Sequence, residues 1–268
     1  MDYKVSVLIV CYNQEKYIKK ALESVLSQKV NFNYEIVACD DCSSDRTFNI
    51  LEEYKSKLGS KLNLIRNYKN LGITLNYKNG FENCRGEYIA VLEGDDYWVQ
   101  KSKLKRQVSF LESNRDCSLV FNKIILDYGD EKINKLIYPF NDIRKKFRAR
   151  ELVRSNFIQN FSCCMYRKSS IRQLRESIYD MVVYDWMFNM AVAQFGLIGY
   201  IPNYMTSHRI LKSGLWSGKS RMQNLQMISK CIDQYDRYFK YKYRKEFSKN
   251  KQEVLQALRR LVMVNENG

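Results

Sequence analysis

The sequence contains one histidine, His208, and two prolines in 268 residues. A metal centre built on several histidines is thereby excluded, and no proline-rich linker divides the chain. Glycine is sparse, at 11 residues, and no Gly-x-Gly-x-x-Gly follows the first apolar run. A dinucleotide-binding Rossmann site is therefore not expected, and the Gly-x-x-x-x-Gly-Lys-Ser/Thr phosphate loop is missing as well. No apolar run approaches the ~20 residues of a membrane-spanning helix. Met1 to Lys4 lead straight into a strand, without the apolar segment of a signal peptide, so the expected location is cytoplasmic. Negative charge is in short supply: 45 Lys and Arg face 29 Asp and Glu, a formal charge of +16. Such an excess suits a polyanionic partner, whether nucleic acid, anionic lipid or a phosphorylated substrate. Of the eight cysteines only Cys39 and Cys42 have metal-ligand spacing, and no second pair completes a zinc site. They bracket Asp40 and Asp41 and read as reduced structural thiols.

What is present is organised around Glu87 to Trp98. Tyr88 to Leu92 is a short apolar run without polar alternation, as in a strand buried on both faces. It breaks at Gly94, which leaves Glu93, Asp95 and Asp96 just past the strand's carboxyl end, where open parallel sheets bind ligands. Three crowded carboxylates repel one another unless a cation lies between them, and a divalent metal with a diphosphate meets that need. An acidic turn in which Asp96 caps the next helix also fits.

Val5 to Val10 and Tyr34 to Cys39 read as buried strands, and Leu62 to Arg66 as a weaker one. Asn13 is placed to cap the first helix, with Tyr17, Ile18, Ala21, Leu22 and Val25 on its apolar face. Ser43 to Asp45 precede the second helix, and Thr74 to Cys84 reads as the third. Strand and helix alternate every ~25–30 residues, the βαβ rhythm of a parallel sheet. Right-handed crossovers put the strand ends on one edge. That edge gathers Tyr12, Asn13, Asp40, Asp41, Asn70, Glu93, Asp95 and Asp96 into a candidate nucleotide pocket. Ser118 to Asn122 is a further strand, expected beside the one that ends at Glu93.

Farther along, Arg144 to Arg150 is a basic run that suits a solvated helix face. Phe157 to Tyr166 could wall an acceptor pocket. Asp185 lies in an apolar, aromatic stretch with Trp186, where desolvation raises basicity and favours a general base; a helix cap is the alternative. Ser207 to Ser217, with His208, Arg209 and Trp216, reads as a polar loop able to close over a sugar diphosphate, or as a plain surface turn. From Lys219 the pattern is helical. Arg237 to Lys251 interleaves basic and aromatic residues, as a membrane surface or an RNA backbone would require, and equally as an amphipathic helix would.

Val5 to Asn13, Asp40-Asp-Cys-Ser-Ser-Asp45, Asn70-Leu-Gly72 and Glu93-Gly-Asp-Asp-Tyr-Trp98, with Lys103, Leu104 and Gln107, together resemble the inverting family-two glycosyltransferases. Arg167-Lys-Ser169 and Asp185-Trp186 extend the likeness. The resemblance implies an α/β GT-A fold, with a mostly parallel central sheet flanked by helices and a C-terminal helical extension. Residues 1–122 would bind the nucleotide sugar, 123–218 the acceptor, and 219–268 would form the extension. It further implies a UDP-type donor, Mn²⁺ or Mg²⁺ as cofactor, and a glycan or lipid-linked acceptor, with no nucleic acid. Tyr12, Asn13 and Asp40 would hold base and ribose, with Asp41, Asn70, Glu93 and Gly94 around them. Asp95 would ligate the metal, and Asp185 would deprotonate the acceptor in a single displacement. An anionic inner membrane face is the further partner expected for the basic segment. Two departures stand out. Glu93 replaces the first aspartate of the family's Asp-x-Asp, and His208-Arg-Ile-Leu211 replaces Tyr-Arg-x-His, so His208 is not carried over as the family's histidine. A metal-dependent sugar nucleotidyltransferase and a basic nucleic-acid-binding protein are the competing functions.

Overall fold

β-Branched and aliphatic runs fall at regular intervals along the first 100 residues, and each becomes a strand; those at Val5, Tyr34 and Tyr88 have both faces covered, and the one at Leu62 is a half-buried edge. The structure, a computed structural model, describes residues 3–129, 134–136, 144–158, 160–182, 184–212, 214, 216 and 218–266. The first half runs β1 (Val5–Cys11), α1 (Ile18–Leu26), β2 (Tyr34–Asp40), α2 (Thr47–Leu58), β3 (Leu62–Arg66), α3 (Ile73–Asn83), β4 (Tyr88–Glu93), β5 (Tyr97–Trp98) and α4 (Lys103–Ser113). The second runs β6 (Cys117–Asp127), β7 (Asn134–Leu136), β8 (Lys146–Phe147), α5 (Ala149–Arg154), β9 (Cys164–Arg167), α6 (Lys168–Ile171), α7 (Asp185–Val192), β10 (Leu197–Arg209), α8 (Arg221–Tyr238) and α9 (Arg244–Glu266).

Among the described residues one sheet carries the strands in the order β3-β2-β1-β4-β9-β6-β10-β5, with β7 beside β6 and β8 beside β10. β3, β2, β1 and β4 are parallel. Their register sets Cys11 level with Asp40, and Val10 level with Glu93. The expected shared edge is therefore formed. Alternate residues of β1 face opposite layers. Val5, Val7 and Ile9 meet Ile18, Leu22 and Val25 of α1 and Leu104 and Leu111 of α4. Leu8 and Val10 meet Tyr77 and Phe81 of α3 and Phe188 of α7.

Several expectations need correction. β6 does not pair with β4: β9 enters between them, antiparallel to both. Its Cys164, Met165 and Tyr166 are fully buried, and so short an apolar stretch carries no alternation to reveal it. Ser207, His208 and Arg209 are the last residues of β10, paired with Ile125, Leu126 and Asp127, so they are held by the sheet and not by a loop. Arg144 to Arg150 spans β8 and the start of α5, with Phe147 buried, and is no solvated helix face. Asn13 is no helix cap either. It adopts a left-handed φ of 52°, and α1 starts five residues later. The C-terminal segment packs onto the rest of the chain: Ile232, Tyr235, Phe239, Tyr243 and Phe247 are buried in the same cluster as α7. Burial of each such side chain contributes roughly 1.5–3 kcal/mol.

Candidate active site

β4 ends at Glu93, and the tight turn after it requires Gly94. A Cβ there would stand 2.3 Å from Gln14 Oε1 and 2.8 Å from Cys11 Cβ. Asp96 is then carried fully inside. Its carboxylate accepts from Ser162 Oγ at 2.6 Å, Arg209 N at 2.9 Å and Asn160 Nδ2 at 3.0 Å, and His208 Nδ1 lies 3.2 Å away. Asp96 is thus no helix cap; α4 begins after Ser102. Glu93 accepts from Tyr77 Oη at 3.2 Å and from Asn160 Nδ2 at 2.8 Å.

Burial, then Asp96 and Asp95, push the Glu93 carboxyl well above the usual carboxylate range. Burial and Asp96 likewise push Asp95 up to about 7. Burial opposes the charged form of His208, yet Asp96, with Glu93 and Asp95 behind it, pushes the imidazole up to about 9. This is the crowding that the acid triplet implied. Ligand atoms of Glu93, Asp96 and His208 lie within 4.8 Å of one another. The Asn160 amide nitrogen lies within hydrogen-bond distance of all three residues, at 2.8 Å, 3.0 Å and 2.9 Å, and has two protons to share among them. Two carboxylates and one imidazole this close together form a set that a divalent cation would bind, with the imidazole deprotonated. Asp95, the expected ligand, is half-buried beside this trio and outside it.

The other edge residues are arranged as follows. Tyr12 and Asn70 are exposed. Asn13 Oδ1 accepts from Ser44 N at 2.8 Å. Asp40 is fully buried and accepts from the Ser43 backbone N–H at 3.0 Å and from the Ser43 hydroxyl, with Arg66 Nε at 3.8 Å. Asp41 accepts from Asn67 Nδ2 and Leu71 N, both at 2.8 Å, and from Gly72 N at 2.9 Å. It thereby shapes the loop that carries Asn70. Arg209 donates to the Asp95 carbonyl and lies over the rings of Tyr17 and Tyr97 at 5.0 Å and 4.6 Å. Its guanidinium braces the acidic turn.

Asp185 opens α7. Burial pushes its carboxyl up to about 6, against the Trp186 backbone N–H and the Asn156 side chain, which both favour the charged form. It lines a cavity of about 560 Å³ that also includes Trp186, His208 and Trp216. The second-half residues singled out from sequence are therefore brought together, except Arg209. Trp186 is fixed by a 2.8 Å bond from Nε1 to the Leu152 carbonyl, and Trp216 sits edge-on to Tyr184 at 4.9 Å. Asp180, the nearest acid upstream, is exposed. Asp130, Glu131 and Asp142 lie outside the described residues. The stretch from Phe157 to Tyr166 does not wall this cavity; it lies under the acid cluster, where it contributes Asn160 and Ser162. Sequence reading missed Asn156 and Asn160, and a lone asparagine in an apolar stretch is a weak signal on its own.

A profile of glycosyl transferase family 2 matches residues 6–175. The chain belongs to that family. The uncharacterised protein Rv1520 of Mycobacterium tuberculosis is 30% identical over 212 residues, 79% of this chain and 60% of its own length. The Escherichia coli protein WfaP, named as a UDP-Glc:alpha-D-GlcNAc-diphosphoundecaprenol beta-1,3-glucosyltransferase, is 37% identical over 136 residues, 49% of this chain and 47% of its own. Among solved structures, Staphylococcus aureus TarS 1-349 in complex with UDP-GlcNAc aligns with a TM-score of 0.65 at 19% identity, covering 85% of this chain and 65% of that one. The mannosyltransferase PcManGT of Pyrobaculum calidifontis, in complex with GDP-Man and Mn²⁺, gives 0.63 at 14% identity, covering 88% and 65%. At such identities the likeness shows the fold, which is GT-A. This chain thus spans about 60% of the mycobacterial relative's length.

Proposed function

We propose that this family member is an inverting glycosyltransferase that moves a sugar from a UDP-linked donor to an acceptor hydroxyl during surface polysaccharide or glycan assembly. One observation carries the reading: Asp185 and His208 line the same cavity, so the candidate base and the acid cluster face one space. Names of relatives support the donor class, since TarS is complexed with UDP-GlcNAc and WfaP is named for UDP-Glc. Tyr12, Asn13, Asp40, Asp41 and Asn70 would bind the base and ribose at the sheet edge. Glu93, Asp95, Asp96 and His208 would hold Mn²⁺ or Mg²⁺. The cation, when bound, offsets charge on the departing diphosphate. Asp185 takes the proton of the acceptor hydroxyl as its oxygen attacks the anomeric carbon from the face opposite the diphosphate, which inverts configuration. Trp186 and Trp216 give the acceptor flat apolar surfaces.

No helix among the described residues is long and apolar enough to cross a membrane. Arg237, Lys240, Lys242, Arg244, Lys245 and Lys249 are exposed, while Phe239, Tyr243 and Phe247 point inward. That basic surface suits peripheral contact with an anionic cytoplasmic leaflet, at ~1 kcal/mol per charge near it. Thermal melts with UDP-glucose, UDP-GlcNAc, UDP-galactose and GDP-mannose test the central reading, each with Mn²⁺, Mg²⁺ or EDTA. A UDP sugar should raise Tm only with metal present, because a ligand bound by the native state alone stabilises it. Equal shifts in EDTA, or none with any donor, would overturn it.

A further inference from the structure

α4 carries two polar residues on its otherwise apolar inner face. Lys103 and Gln107 lie one turn apart, and both are fully buried beside Leu104, Val108 and Leu111. Burying an amine and an amide is costly unless each meets a partner, and apolar side chains of similar volume fill a core without that penalty. Their hydrogen bonds show what they serve. Lys103 Nζ donates to Gln107 Oε1 at 2.8 Å and stands over the Trp98 ring at 4.5 Å. With Oε1 turned to the lysine, Gln107 Nε2 faces away and donates to the Cys163 carbonyl at 2.9 Å and to Asn122 Oδ1 at 3.3 Å.

Cys163 closes the short turn Phe161–Cys163 that leads into β9. The carbonyl before it, that of Ser162, accepts from Trp98 Nε1 at 3.0 Å and from Thr206 Oγ1 at 3.3 Å. Asn122 Nδ2 donates in turn to Thr206 Oγ1 at 3.1 Å. The backbone of the turn is thus gripped from α4, β5 and β10. From it Ser162 Oγ reaches Asp96 at 2.6 Å, and Asn160, at its start, reaches Glu93 at 2.8 Å and Asp96 at 3.0 Å. Lys103 and Gln107 themselves belong neither to the acid cluster nor to the cavity at Asp185.

We propose that Gln107 is a positioning residue for the cation site and that Lys103 orients it. The amide fixes the turn before β9, and the turn presents Ser162 and Asn160 to Asp96 and Glu93. This deepens the transferase reading and rests on it, since the acid cluster must be where the cation binds. It also gives Lys103 and Gln107 a task at the site although neither touches metal or substrate. Groups that orient metal ligands from behind govern affinity by about 10–100-fold.

Mn²⁺ is titrated into the full chain, alone and with UDP, and free Mn²⁺ is read by electron paramagnetic resonance. Gln107→Met keeps the volume and removes both arms of the amide, so it should weaken Mn²⁺ binding about 10–100-fold. Lys103→Met leaves the amide free to turn over and should weaken binding less, by roughly threefold or more. The double variant should bind no more weakly than Gln107→Met, because the lysine acts through the glutamine. Charge alone gives Lys103→Met the opposite sign, since losing a buried cation would tighten Mn²⁺ binding. Ser6→Ala controls for lost stability. It removes the bond to Glu35 at 2.7 Å and the acceptor of Gly86 N at 2.8 Å, at the far end of β1 from the site. It should lower Tm and leave Mn²⁺ affinity unchanged. Lys103→Met is the deciding variant if Gln107→Met melts early. Unchanged or tighter Mn²⁺ binding in Lys103→Met, or a loss that Ser6→Ala matches, overturns the inference and leaves the transferase reading in place. Absence of any Mn²⁺ binding by the wild-type chain, with or without UDP, would instead remove the cation site itself and the metal dependence of the transferase reading with it.

Discussion

Asp185→Asn should make the protein inactive and more stable together. Burial raises the Asp185 pKa from 3.8 to about 6. A displacement of about 2, at ~1.4 kcal/mol per unit, is roughly 3 kcal/mol of native-state destabilisation whenever the carboxylate is charged. The native protein holds this proton more tightly than the unfolded chain does. Stability is therefore full below pH ~4, falls as pH rises through about 6, and stays lower above that. Asparagine removes the charge. It retains an acceptor for the Trp186 N–H but gives up the favourable interaction with the α7 amino terminus, about 0.3–1 kcal/mol. The net gain at pH 7.5 should be ~1–2 kcal/mol, or a few degrees in Tm for a chain of this size. At pH 4 the gain should vanish. Turnover should drop ~10²–10⁴-fold, with donor affinity little changed, as befits removal of a base that touches only the acceptor. Melts at pH 4 and 7.5, alongside steady-state rates, give the answer. A variant that is less stable at pH 7.5, or that loses donor binding in step with turnover, would refute the reasoning.

Asp95→Asn should abolish transfer and raise the metal-free Tm at pH ~8, because burial and Asp96 push this carboxyl up to about 7 and asparagine removes the charge; full activity would remove Asp95 from the metal set. Asn160→Asp keeps the acceptor for Ser162 N, 2.6 Å away, but adds a fourth carboxylate to the cluster. Its metal-free Tm should fall and its Mn²⁺-induced rise should grow; an unchanged metal-free Tm would count against the crowding argument. Lys103 is fully buried, bonds Gln107 at 2.8 Å, and is pushed down by burial to about 7. A lysine whose folded pKa is lowered adds stability as pH rises from 7 toward 10, so Lys103→Met should flatten that slope in pH-dependent melts; parallel curves would refute the assignment.

The parallel half of the fold was legible because each of its strands announces itself. Tyr88 to Leu92 is apolar throughout, Val5 to Val10 and Tyr34 to Cys39 are interrupted only by Ser6 and Glu35, and each is followed by the polar residues that stand at the sheet's edge. β9 gives no such signal. Cys164 to Arg167 is four residues long, and it pairs with strands that begin 76 and 47 residues earlier, at Tyr88 and Cys117. The aromatic residues of Arg237 to Lys251 were ambiguous for a related reason. Composition shows rings among cations, but only tertiary packing decides that Phe239, Tyr243 and Phe247 face inward and Tyr241 faces out.

Asn160 and Ser162 stand at the acid cluster, and not on the acceptor wall expected of their stretch, for one reason. Locating an edge by the carboxyl ends of strands works when every strand points the same way. β9 runs against β4, so the edge where β4 delivers Glu93 is the edge where β9 begins. The residues just before β9 therefore reach the site, and Asn160 and Ser162 are those residues. β6 reverses direction again relative to β9, and β10 runs parallel to β6. The end of β10 thus returns to the same edge with His208 and Arg209. One antiparallel insertion turns a loop before a strand into half of the acid cluster's support. It also explains why Asp96, seen in the sequence as a possible cap, is instead held from two distant segments, the entry to β9 and the end of β10. Substitution of the β9 entry should accordingly act on the acids and leave the parallel half intact. Ser162→Ala removes the 2.6 Å donor to Asp96 and the 3.0 Å acceptor of Glu93 N. It should destabilise the protein by ~1–3 kcal/mol and weaken Mn²⁺ binding. Hydrogen exchange in β1 and β2 should keep its wild-type pattern, and loss of protection there would show that β9 is not the separate support described.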